Sequence, residues 1–231
     1  MKFATPPLRR LVPGALALLV LAGTAVRADA PRRVRGIDVS HHQGRINWTA
    51  VKGDGIRFVF IKATEGGDWT DPHFRRNWNN AREAGLLRGA YHYYRPQTHS
   101  AVQARHFLRR VEIGANDLPP VLDVEATDGV ADATIRRGMR NWLRMVEEET
   151  GKRPIIYVSR RFAPRLAADF GDYPLWIADY RSDGPAVPRG WGRWTFWQHS
   201  ERGRVKGIRA PVDRNWFRGT LEELRGFAQR S

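Results

Sequence analysis

The sequence predicts an α/β domain built from parallel βαβ units, wound either as a barrel or as a doubly wound sheet. Three observations predict it. Short apolar segments of strand composition alternate with segments of helical spacing, the pattern of parallel strands joined by crossover helices. Six such strands fall between Gly36 and Tyr180. Acids recur near their C-terminal ends, the end at which β/α barrels assemble their sites.

Each element has a local reason. GIDVS (36–40) and RFVFIKA (57–63) read as strands from their β-branched and aromatic content. Asp71–Ala84 reads as a helix, with Asp71 as cap, Pro72 in the first turn, Phe74 and Trp78 on one face, and Gly85 as stop. Leu87–Tyr94 is the third strand. Ser100 and Gln103 form a capping-box pattern before a helix carrying Phe107, Leu108 and Val111. Val121–Glu125 is the fourth strand. Ile135, Met139, Trp142, Leu143 and Val146 keep helical spacing up to Gly151. Ile155–Ser159 and Leu175–Tyr180 are strands five and six. Helical patterns then fade. Trp194–Ser200 reads as a strand, Glu201–Gly203 as a turn, Arg204–Ile208 as its hairpin partner and Val212-Asp213 as a last short strand.

Residues 1–30 read as an export signal: a basic start (Lys2, Arg9, Arg10), an apolar run from Leu11 to Gly23, and Ala28-Asp29-Ala30 before the cleavage point. The expected exported protein, periplasmic or secreted, is residues 31–231 as a single domain, expected to be a monomer. It has no Cys, so its core must hold it without disulfides. The whole chain carries a formal charge of +15, and only five of its 39 basic residues are Lys. This favours attraction to anionic envelope polymers. The Arg residues are scattered, with no basic run, which argues against nucleic-acid binding.

VLDVE (121–125) sets the chemical question. Asp123 and Glu125 are two residues apart in an apolar strand and therefore project to the same side. Like charges held together in a poorly solvated place split their pKa values, one staying protonated while its neighbour is ionised. That division suits glycosidic cleavage, in which an acid protonates the leaving oxygen and an anion stabilises the cationic sugar. Asp38, Glu65, Asp179 and Asp213 lie at comparable strand ends. Aromatics near them, including Tyr91, Tyr157 and Trp176, offer flat walls for sugar rings. His41-His42 invites a metal reading, but on a strand the two would point to opposite sides and no ligand spacing supports them. No metal or other cofactor is expected.

Eight segments in order, RGIDVSHHQGRINW (35–48), FVFIKATEG (58–66), GAYHYYRP (89–96), PPVLDVE (119–125), PIIYVS (154–159), LWIADY (175–180), WTFWQHS (194–200) and GRVKGIRAPVDRNWF (203–217), resemble glycoside hydrolase family 25, the Chalaropsis-type lysozymes. The resemblance implies a modified TIM-type β/α barrel of eight strands with fewer than eight outer helices. It implies an N-acetylmuramidase that cuts the β-1,4 bond between N-acetylmuramic acid and N-acetylglucosamine in peptidoglycan strands. Glu125 would be the general acid. Asp123 would orient the substrate's 2-acetamido group or stabilise the oxocarbenium ion. Asp38 and Asp213 would tune the pair and hold substrate, and Glu65, Tyr91, Tyr157, Trp176, Asp179 and Gln198 would contact sugar. Trp69 departs from the family's smaller aromatic or Leu, and Ala210-Pro211 from a Gly-containing step. The alternatives are a non-catalytic peptidoglycan-binding barrel and a hydrolase of a related N-acetylated glycan.

Overall fold

The computed structural model describes residues 1–4, 33–166, 169–181 and 183–230. The export-signal reading falls almost entirely outside them. Pro31–Ser231 forms one compact unit.

The strands are β1 (Arg33–Val39), β2 (Phe58–Glu65), β3 (Trp69–Thr70), β4 (Leu87–Tyr93), β5 (Val121–Val124), β6 (Ile155–Ser159), β7 (Leu175–Ala178), β8 (Phe196–Gly203) and β9 (Val212–Arg218). Their order is β1-β9-β8-β7-β6-β5-β4-β2, and β2 pairs back onto β1, so eight strands close a barrel. β3 is a short antiparallel edge on β2. The described helices are α1 (Trp48–Gly53), α2 (Phe74–Glu83), α3 (Ser100–Arg110), α4 (Asp132–Thr150) and α5 (Leu221–Gln229). This is the modified barrel, with fewer helices than strands.

Period-two alternation divides the apolar residues into two cores. Outward positions such as Ile61, Leu122 and Ile156 pack under helical residues such as Trp78, Phe107 and Trp142. Inward positions such as Phe58, Phe60, Val121 and Phe196 fill the barrel. Leu224 and Ala228 of α5 join this interior set, so α5 closes the end opposite the C-terminal ends of the parallel strands. Gly36 is there because a Cβ would lie 2.2 Å from the Phe58 ring. Gly85 and Gly151 end α2 and α4 at φ 73° and 66°, in the left-handed region that favours glycine.

The structure corrects several local readings. Asp71 does not cap α2, whose N-cap is His73. Its Oδ2 instead accepts from the His41 backbone N–H and meets His41 Nδ1, both at 2.9 Å. His41 and His42 lie not on a strand but in a 3-10 turn, with ring centroids 4.0 Å apart. Gln103 makes no capping box with Ser100. Its amide is taken by His92 and by the Arg95 and Thr98 backbone, and His99 caps α3. Arg204–Ile208 is not a hairpin strand. The antiparallel partner of β8 is β9, which runs seven residues and also pairs with β1. The faded helical pattern hid α5, although Thr220 and Glu223 form a capping box at its start.

Candidate active site

Four acids meet at the C-terminal mouth of the barrel. Asp38 on β1 stands directly opposite Asp213 on β9, a register pair across antiparallel strands. Asp123 is the third residue of β5, between Tyr93 on β4 and Tyr157 on β6. β5 ends at Val124, so Glu125 has left the strand, and its carboxyl bonds that of Asp123. Asp123 is 5% exposed, whereas Glu125 is exposed above it. One oxygen of Asp123, Oδ1, is buried with no hydrogen-bond partner among the described residues.

Both members of this pair are pushed upward. At Asp123 burial is the main cause, followed by the charge of Glu125, with Lys62 opposing and Asp38 adding. At Glu125 the desolvated mouth raises the carboxyl first, and the negative charge of Asp213 adds to it. The bond between them raises Asp123 and lowers Glu125. Burial and neighbouring negative charge thus hold both carboxyls above the ordinary carboxylate range. Asp38 and Asp213 form a second such pair. Asp38 Oδ2 accepts from Asn215 Nδ2 at 2.6 Å and Gln198 Nε2 at 3.0 Å. Burial pushes Asp38 up, and these bonds with one from Asp213 pull it back down. Asp213 is pushed up to about 8 by burial and then by the charge of Asp38.

This has a consequence for stability. Between its ordinary 3.8 and about 8, Asp213 keeps its proton in the folded protein and loses it when unfolded. The unfolded state binds fewer protons there, so this group lowers stability as pH rises through that window. Asp213→Asn is expected to raise the thermal midpoint at pH 7–8 and to leave it unchanged near pH 4. Even about one pKa unit of relief is worth roughly 1.4 kcal/mol. Melting curves at the two pH values check this, and equal shifts at both would refute the linkage.

The remaining predicted residues divide into three groups. Tyr91 stands among the acids, its phenol held well above the usual range by burial first and then by Asp38, Asp123 and Asp213. Tyr157 and Gln198 form the layer beneath: Tyr157 OH donates to Gln198 Oε1 at 3.1 Å, and Gln198 in turn holds Asp38. Trp176 is 2% exposed, and its Nε1 donates to Asn215 Oδ1 at 2.8 Å. Its ring stacks on Phe60, leaving no free face for a sugar. It acts through Asn215 on Asp38. Asp179 does not join the cluster. Arg181 and the Ala186 backbone N–H bind its carboxylate, and they outweigh burial to hold it below the usual carboxylate range. Glu65 sits at the cleft edge in ion pairs with Lys62 and Arg95, both 2.7 Å.

Glu65 and Lys62 are three residues apart and would face opposite sides of a regular strand. A bulge between Lys62 and Thr64 in β2 resets the alternation and brings them together. Sequence reasoning also passed over Asn215, Lys62 and Tyr180. Tyr180 is half exposed, and its OH donates to Gln198 Oε1 at 2.9 Å. All three lie inside quoted motifs, VDRNWF, FIKATEG and LWIADY, but carry no acid to draw notice.

Residues 37–208 match the family described as Glycosyl hydrolases family 25. Uncharacterized protein YegX of Escherichia coli O6:H1 is 49% identical over 212 residues, covering 88% of this chain and 76% of that protein. Lysozyme M1 of Streptomyces globisporus is 37% identical over 209 residues, covering 84% of this chain and 71% of that protein. The crystal structure of the bacterial lysozyme from Streptomyces coelicolor aligns with a TM-score of 0.81 at 36% identity, over 85% of this chain and 97% of that one.

Proposed function

As this chain belongs to glycosyl hydrolase family 25, we propose that it is an exported muramidase that hydrolyses the β-1,4 bond between N-acetylmuramic acid and N-acetylglucosamine in peptidoglycan. The observation that carries this reading is the carboxyl pair, a buried Asp123 beside an exposed Glu125, both raised above the ordinary carboxylate range. Glu125 is the member that a glycosidic oxygen can reach.

In the proposed reaction Glu125 is the general acid and gives its proton to the leaving oxygen as the C1–O bond breaks. Asp123 stabilises the positive charge that forms at C1, directly or through the 2-acetamido group. Both contributions favour the transition state more than the ground state. The two carboxyls touch and approach the sugar from one side. A direct nucleophile needs about 5–5.5 Å between the carboxyls, with the sugar between them. Attack by the substrate's own 2-acetamido oxygen, with Asp123 holding its N–H, therefore fits the geometry better. The negative charge shared by the Asp38–Asp213 pair lies near these carboxyls and favours their protonated forms. Water then opens the cyclic intermediate, and Glu125 takes the proton from that water.

The test is to incubate the protein with purified peptidoglycan, reduce the products with borohydride and identify the new ends by mass spectrometry. Reduced N-acetylmuramic acid is the expected end. Reduced N-acetylglucosamine would move the cleaved bond, and tight pelleting without new ends would favour the binding-barrel reading.

The formal charge of +15 supports a second expectation, that long-range attraction to anionic wall polymers assists capture. Activity on whole wall should fall steeply between low salt and about 0.5 M salt, where screening is nearly complete. Activity on a short soluble glycan should change little. Equal salt sensitivity on both substrates would rule out surface-charge capture.

A further inference from the structure

The loop after β1 and the loop before β9 leave the barrel beside Asp38 and Asp213, and they enclose a groove of about 630 Å³. Its lining includes Arg45, Arg209, Ile46 and Ile208, and no Asp or Glu. Both arginines are exposed, and neither is paired with a carboxylate among the described residues.

The walls are fixed to each other. The Asn47 backbone N–H donates to Gly207 O at 2.9 Å, and Gln43 Nε2 donates to Pro211 O at 3.1 Å. Arg76 holds Gly44 O at 2.8 Å from below. Gly207, at φ 94°, lies so close to the other loop that a Cβ would stand 2.4 Å from Asn47 O. The groove is thus a built feature and not a gap between loose loops. Ala210-Pro211, where the sequence departs from its family, forms the end of one wall.

We propose that this groove receives the acidic peptide stem of the peptidoglycan strand, with Arg45 and Arg209 pairing its free carboxylates. This rests on the muramidase reading. The stem hangs from C3 of muramic acid, two ring positions from C1, the carbon at which the proposed cleavage occurs. Extended chain reaches at most about 3.6 Å per residue, so His42 lies within roughly 14 Å of Asp38 and Ala210 within roughly 11 Å of Asp213. A stem leaving a sugar bound at the acids therefore reaches the groove within its first few residues. The apolar floor suits the alanyl methyl groups of such a stem, and the two guanidinium groups suit carboxylates.

The test compares kcat/KM on soluble, uncrosslinked glycan strands that carry stems with kcat/KM on the same strands after an amidase has removed the stems. The unaltered protein should prefer stem-bearing strands roughly 2- to 30-fold, the range that two exposed ion pairs supply, chiefly through KM. In Arg45→Glu/Arg209→Glu the preference should fall to about one or invert, and in Arg45→Gln/Arg209→Gln it should weaken. No preference in the unaltered protein, or a preference that survives both double variants, overturns the proposal. Loss of whole-wall binding in the variants with an unchanged stem preference also overturns it and assigns the arginines to another wall polyanion. If the unaltered protein cuts neither strand, the muramidase reading fails first, and the two failures are told apart.

Discussion

Glu125→Gln is expected to lower kcat on peptidoglycan by about 10²–10⁴-fold, the usual contribution of a positioned general acid. Glutamine keeps the shape and still accepts the bond from Asp123, but it cannot pass a proton to the leaving oxygen. KM should change little, because the loss falls on the transition state. Folding should not suffer. The substitution removes one negative charge from a crowd in which Asp38, Asp123 and Asp213 already resist ionisation. A thermal midpoint equal to or above that of the unaltered protein, together with the activity loss, separates chemistry from stability. A variant retaining a tenth or more of the activity would remove Glu125 from the acid's role. Asp123→Asn is the companion variant. Its amide still donates to Glu125 and stabilises the Glu125 anion, so Glu125 should titrate lower and residual activity should move to more acidic pH.

Arg88→Ala is expected to cost about 3–5 kcal/mol of stability, because it strands a buried carboxylate. Arg88 is 5% exposed on β4. Its Nε donates to Asp117 Oδ1 at 2.7 Å and its Nη2 to Asp117 Oδ2 at 3.1 Å. Its Nη1 donates to Trp78 O at 2.7 Å, and its guanidinium lies 3.9 Å from the Trp78 ring centroid. One side chain thus joins α2, β4 and the segment that leads through Leu118 into β5. For a domain of this size the midpoint should fall by roughly 6–20 °C. Arg88→Met combined with Asp117→Leu removes both charges and should recover most of the loss. If the single variant costs under about 1 kcal/mol, the pair is solvated and the burial argument fails. Because Asp117 lies six residues before Asp123, activity of the single variant should fall at temperatures below the midpoint as well.

The sequence by itself determined most of the parallel strands and the acids they carry. Alternation of apolar residues is a local signal, and in β1, β2, β4, β5, β6 and β7 it placed Asp38, Asp123 and Glu125 at the strand ends where the structure has them. It put Glu125 two residues after Asp123, although β5 ends between them at Val124. Tertiary structure decided the rest. The length of β9 depends on pairing with both β8 and β1, partners far away in the sequence, so Val212-Asp213 read as a fragment. The bulge in β2 that turns Glu65 toward Lys62 is a register event between strands and leaves no local mark. Asp179 follows the end of β7 and Trp176 lies within it. Their side chains are bound by Arg181 and by Asn215 instead. Composition and spacing state which groups a strand presents. Only the closed barrel states which of them meet, because desolvation and carboxyl–carboxyl contact arise when distant strands come together.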